Sequence, residues 1–100
     1  MPAPVLDPYV IDVLLPDLVG HDRRPSAFLL YLVLWQRTAG GRREAALSLR
    51  ELAEATGLSK RAVQGALATL ERRRLVASSR ATATAVPSFR ALRPWDRAPR

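Results

Sequence analysis

One hundred residues with 48% hydrophobic side chains make one globular domain with room for three or four helices and a small sheet, not a disordered chain. The absence of cysteine excludes a disulfide framework, a thiol nucleophile and a thiolate metal site, and suits the cytoplasm. The net charge of +7 arises wholly beyond residue 22, which favours a polyanionic partner bound away from the N-terminal segment.

Residues 1–22 carry Asp7, Asp12, Asp17 and Asp22 and no Lys or Arg. The other 78 residues hold all sixteen basic side chains against five acidic ones, a balance of +11. The opening MPAPVLDPYV lacks the basic and long apolar regions of a signal peptide. In DPYVIDVLLPDLVG, Asp7 suits the cap of a helix begun by Pro8. Equally, Tyr9, Val10, Ile11 and Val13 suit a strand, and Pro16 would stop either element. The balance favours a short extended piece or a single turn lying over the core.

SAFLLYLVLWQRTAGG reads as a helix of about 14 residues, started by Pro25 or Ser26 and ended by Gly40 and Gly41. Its apolar stretch, Ala27 to Trp35, is nine residues, far short of a membrane span. That helix is apolar almost all round, so it must be central or covered on its outer side. The N-terminal segment or a second copy of the chain could supply the cover, and Leu30, Tyr31, Val33 and Leu34 are the candidate dimer or partner surface. GGRREA is a loop, with Arg42 and Arg43 weak candidates for phosphate contact, and ALS is long enough for one short strand.

Ser48 and Glu51 have the spacing of a capping box, which predicts a helix over 49–56 with Leu52 and Ala53 inward. Gly57 follows, where a left-handed residue costs nothing extra. Leu58 turns back to the core and Ser59 caps the next helix, in which Val63, Ala66, Leu67 and Leu70 share one buried face. Two helices joined this tightly form a helix-turn-helix unit.

With these residues in place, the chain resembles a winged helix-turn-helix domain over about residues 25–93. A preceding helix matches 26–38, a short strand 46–48, and LVASSRATATAVPSFRAL the two wing strands. The stretch LSKRAVQGALATLERRRLV is similar to small bacterial regulators of the MarR-like and GntR-like kinds, and to phage or plasmid replication proteins. The fold class implied is mainly α with a small β-hairpin wing, a three-helix core plus an N-terminal extension. Residues 1–24 would form that extension, packed on the core or on a dimer partner, and 94–100 a tail in which Trp95 either folds back or is free. Arg74 stands where such domains usually have Gly before the wing, Gly65 interrupts the second helix, and the wing is poor in charge. Pro87 is expected to keep its strand at an edge.

The resemblance implies double-stranded DNA as partner. Facing solvent near the start of the second helix, Lys60, Arg61 and Gln64 are the candidate base readers, since Lys and Arg suit guanine edges and Gln suits adenine. Ser59, Arg50, Thr69, Arg72, Arg73 and Arg80 are the candidate phosphate contacts. Glu51, Glu54 and Glu71 read as surface or capping groups. His21 has no second His, Cys or carboxylate cluster in sequence to make a metal site, and no cofactor or enzymatic role is expected. The expected role is a cytoplasmic, nucleoid-associated transcriptional regulator, with a homodimer or a protein partner as further expectations; the alternative is a winged-helix protein-interaction, replication or partition module.

Overall fold

The computed structural model describes residues 5–96. Residues 1–4, in the stretch compared with a signal peptide, and 97–100, the end of the expected tail, lie outside them. Three helices, α1 (Pro25–Arg37), α2 (Leu49–Thr56) and α3 (Lys60–Arg72), pack with three short strands, β1 (Ala45–Ala46), β2 (Val76–Ser79) and β3 (Ser88–Ala91). The sheet is antiparallel in the order β1-β3-β2, with Val76 opposite Ala91 and Ser79 opposite Ser88. This is a winged helix-turn-helix, the wing being β2, β3 and the loop between them.

In the N-terminal segment the helical alternative holds. Residues Val10–Leu14 and Pro16–His21 are wide helical turns rather than extended chain. Asp7 makes the cap that the helical alternative required, its Oδ1 accepting the Tyr9 N–H at 2.9 Å. Val10, Leu14 and Leu18 then recur every fourth residue and are all buried. Four-residue spacing belongs to a helix and not to a strand, so the β-branched composition of VIDV was the weaker signal.

This segment lies on α1 and covers it. Along α1, Leu30, Tyr31 and Leu34 have no exposed surface and Val33 is half-buried against the core. Leu30, Tyr31 and Leu34 are thus closed to a dimer partner, because α1 is packed by the N-terminal segment, α2, α3 and β3, whereas Val33 is only partly covered. Leu29 is the apolar α1 side chain left substantially in solvent.

Both ends of the described chain close over the same end of α1. Trp95 folds back and stacks between Tyr9 (4.4 Å between ring centroids) and Trp35 (6.4 Å). Asp7 Oδ2 accepts hydrogen bonds from Trp95 Nε1 and from Arg93, each at 3.1 Å. The Arg93 guanidinium also lies 5.4 Å from the Trp35 ring, in cation–π range.

The α1–β1 loop is organised by Thr38, which is fully buried. Its hydroxyl donates to Leu34 O at 2.7 Å and accepts the N–H groups of Gly41 and Ala91 at 3.2 and 3.3 Å. Pro87 does not hold its strand at an edge. It precedes β3, so its missing N–H costs the ladder nothing, and β3 is the central strand.

The α3–β2 junction is a six-residue C-cap in which Leu75 N–H reaches Leu70 O (2.8 Å) and Arg74 N–H reaches Glu71 O (3.0 Å). That geometry needs a left-handed residue, and Arg74 takes it with φ 56°. Arg74→Gly is expected to raise unfolding free energy by about 1 kcal/mol, the relief of left-handed strain. Chemical denaturation beside Arg74→Ala, which keeps the strain and removes the charge, separates the two effects.

Candidate nucleic-acid interface

Two caps and one glycine set the pose of α3. The Ser48–Glu51 capping box is present with both hydrogen bonds made, so α2 begins where the sequence predicts. Gly57, with φ 78° and ψ 9°, reverses the chain. Ser59 Oγ then accepts the Ala62 N–H at 3.0 Å and starts α3. Val63, Ala66, Leu67 and Leu70 are buried behind α3, as their spacing requires.

On the opposite side Lys60, Arg61, Gln64 and Ala68 are exposed together. Lys60, Arg61 and Gln64 form no ion pair or hydrogen bond among the described residues, so their heads are available to a ligand. Gly65 sits beside them, and a Cβ there would meet nothing within 4 Å, so the glycine serves no internal packing need.

An open cleft of about 730 Å³ runs between α3 and the wing. The start of α2, the α3 face and the base of the wing contribute Arg50, Lys60, Gln64 and Arg80 to its rim, and Leu67 and Phe89 to its floor. Arg50 shares an exposed ion pair with Glu54 at 3.3 Å. Such a pair is worth little and yields readily to a phosphate. Arg80 donates to Ala83 O at 3.1 Å and so braces the wing loop. Arg72 is exposed and unpaired among the described residues.

Two candidate phosphate ligands are corrected. Thr69 is 2% exposed, because it lies on the packed side of α3 beside Leu70, and it cannot meet DNA. Arg73 turns away from the outer face and pairs with both Asp17 and Asp22 of the N-terminal segment. The uneven charge of the chain therefore has an internal use: two of its four N-terminal acids lock that segment to the end of α3. The signal available in sequence was the cation-free 1–22 stretch itself, without an indication of which arginine would meet it.

His21 is less isolated than the sequence implied. Its Nδ1 lies 3.1 Å from Asp22 and 3.9 Å from Asp17, making a three-residue group of metal-ligand types. Arg73 already neutralises both carboxylates.

The His21 contact and the Arg73 guanidinium hold the Asp22 carboxyl below its ordinary value of 3.8. The Tyr9 N–H, the Trp95 Nε1–H and Arg93 do the same for Asp7. A depressed carboxyl stabilises the fold above its unfolded pKa and loses that contribution as pH falls through the folded value. Stability is thus expected to be level from neutrality to about pH 4 as far as these groups decide it, and to fall below. Urea midpoints measured across that range should flatten in a combined Asp7→Asn, Asp22→Asn variant; an unchanged acid limb would show that other groups control it.

The matching family profile is that of a helix-turn-helix domain, over residues 24–76. The chain belongs to this helix-turn-helix family. Those residues run from the start of α1 through the first residue of β2, so the match contains the whole α2–turn–α3 unit. Searches of curated proteins and of solved structures return no match. Membership in a helix-turn-helix family suggests DNA as the ligand class. Among the described residues, no helix is long and apolar enough to cross a membrane.

Proposed function

We propose that this helix-turn-helix domain binds double-stranded DNA with α3 in the major groove, and acts as a transcriptional regulator on the nucleoid. The observation that carries the proposal is the joint exposure of Lys60, Arg61 and Gln64 on one side of a helix whose other side is core. Lys60 and Arg61 supply donors for guanine O6 and N7, and Gln64 a donor–acceptor pair for adenine. Arg50, Arg72, Arg80 and the backbone N–H of Ser59 supply phosphate contacts, which give affinity and salt dependence but no sequence choice.

A single chain reaches few base pairs, so the proposal includes two copies on a palindromic site. The competing interaction-module reading rests on the apolar circumference of α1 and the thin wing; the chain itself buries most of that circumference, leaving Leu29 exposed. The family is typically non-enzymatic, and the proposed role involves no reaction.

Selection from random duplex pools, followed by binding measured against salt, is the test. A symmetric preferred sequence, bound with affinity that falls steeply as salt rises, is the expected result. Absence of detectable duplex binding at low salt would refute the proposal, and capture of a specific protein partner in its place would favour the interaction module.

A further inference from the structure

Glu71 is the single acidic side chain of α3, and it stands on the wall of the cleft that Arg50, Lys60 and Arg80 rim with positive charge. One carboxylate oxygen accepts a hydrogen bond from Ser78 Oγ of β2 at 2.6 Å, which holds the group at the wing side of the cleft. No salt bridge to Glu71 occurs among the described residues, so its charge is left unneutralised beside the cationic rim of the cleft. As a helix-terminal residue it is also ill placed, since a carboxylate opposes the negative end of the helix dipole. The fold thus retains a negative charge where local energetics and a polyanionic ligand would both favour its removal.

Resting on the DNA-binding reading, we propose that Glu71 is a specificity-determining residue that acts by repulsion. Three cations around an open cleft would seat a phosphate of any sequence, and a phosphate lodged there would hold the duplex without engaging base edges. The carboxylate pinned by Ser78 keeps a phosphate out of the depth of the cleft and leaves Arg50 and Arg80 to meet phosphates only at its rim. The duplex then settles towards the N-terminal half of α3, where Lys60, Arg61 and Gln64 reach the bases. Discrimination is a difference between affinities, and weakening the indiscriminate mode widens it as surely as strengthening the specific one.

Glu71→Gln removes the charge and keeps an oxygen able to accept from Ser78. Its affinity for a random-sequence duplex, read by fluorescence anisotropy at low salt, is expected to rise about fivefold. The slope of log affinity against log salt should steepen by about 0.9, the signature of one added phosphate. The ratio of selected-site to random-site affinity should fall. Ser78→Ala, which cuts the tie between α3 and the wing but leaves the charge, should not steepen the slope. If wild type binds duplex and Glu71→Gln is no tighter, or if Ser78→Ala reproduces its steeper slope, Glu71 acts only as a wing anchor and the inference fails alone. Failure of wild type to bind any duplex overturns it together with the DNA-binding reading.

Discussion

Gly41→Ala is expected to lower unfolding free energy by on the order of 3–5 kcal/mol, read as a large drop in the denaturant midpoint. Two separate costs combine. Gly41 has φ 92°, a conformation that an L side chain occupies only under strain. A Cβ built there would also lie 2.4 Å from the carbonyl oxygen of Ala91. That oxygen belongs to the backbone of β3 and cannot swing aside as a side chain would. Relief requires the α1–β1 loop to move off the strand, taking with it the Gly41 N–H bond to Thr38 and the Arg90 bond to Gly41 O at 2.8 Å. Gly57→Ala is the internal control: its φ of 78° is also left-handed, yet a Cβ there meets nothing within 4 Å. It should cost only about 1 kcal/mol. Equal losses at the two glycines would show that the close approach to β3 is not what Gly41 serves. Against the 5–15 kcal/mol typical of a domain, the larger loss approaches the whole margin of folding.

Arg61→Ala should weaken binding to the preferred duplex by about tenfold to hundredfold, or about 1–3 kcal/mol, and relax the preference at one base pair. Arg61 lies in the first turn of α3, exposed and unpaired among the described residues, so the loss should arise at the DNA with the fold undisturbed. Arg72→Ala offers the contrast. As a phosphate contact it should weaken all duplexes alike and reduce the salt slope by about one. Anisotropy titrations on selected and scrambled duplexes separate the two classes. If Arg61→Ala loses the same factor on both, Arg61 is a backbone contact and base reading rests with its neighbours; if it loses nothing, α3 does not enter the groove in the proposed pose.

Local chemistry made much of the fold readable. The Ser48–Glu51 box, Gly57, the Ser59 cap and the Val63–Leu70 face are interactions among residues a few positions apart, and each occurs as its spacing implies. Arg74 shows the same rule under strain, for the C-cap demands a left-handed residue whatever side chain is present. The N-terminal segment stayed open between strand and helix because β-branched residues competed with a four-residue repeat, and in the folded chain the repeat is the buried face. Thr69 was misplaced because one position on α3 turns a side chain by about 100°, enough to move it from outer face to packed face.

The helix-turn-helix, its caps and the outward direction of Lys60, Arg61 and Gln64 were legible in the sequence, since helical periodicity dictates which side chains share a face. What covers α1, which arginine meets Asp17 and Asp22, where Trp95 docks, and that Glu71 faces the cationic cleft become visible in the folded chain alone. Those facts depend on which distant residues come within a few ångströms of one another. Spacing along the chain carries no record of such distances.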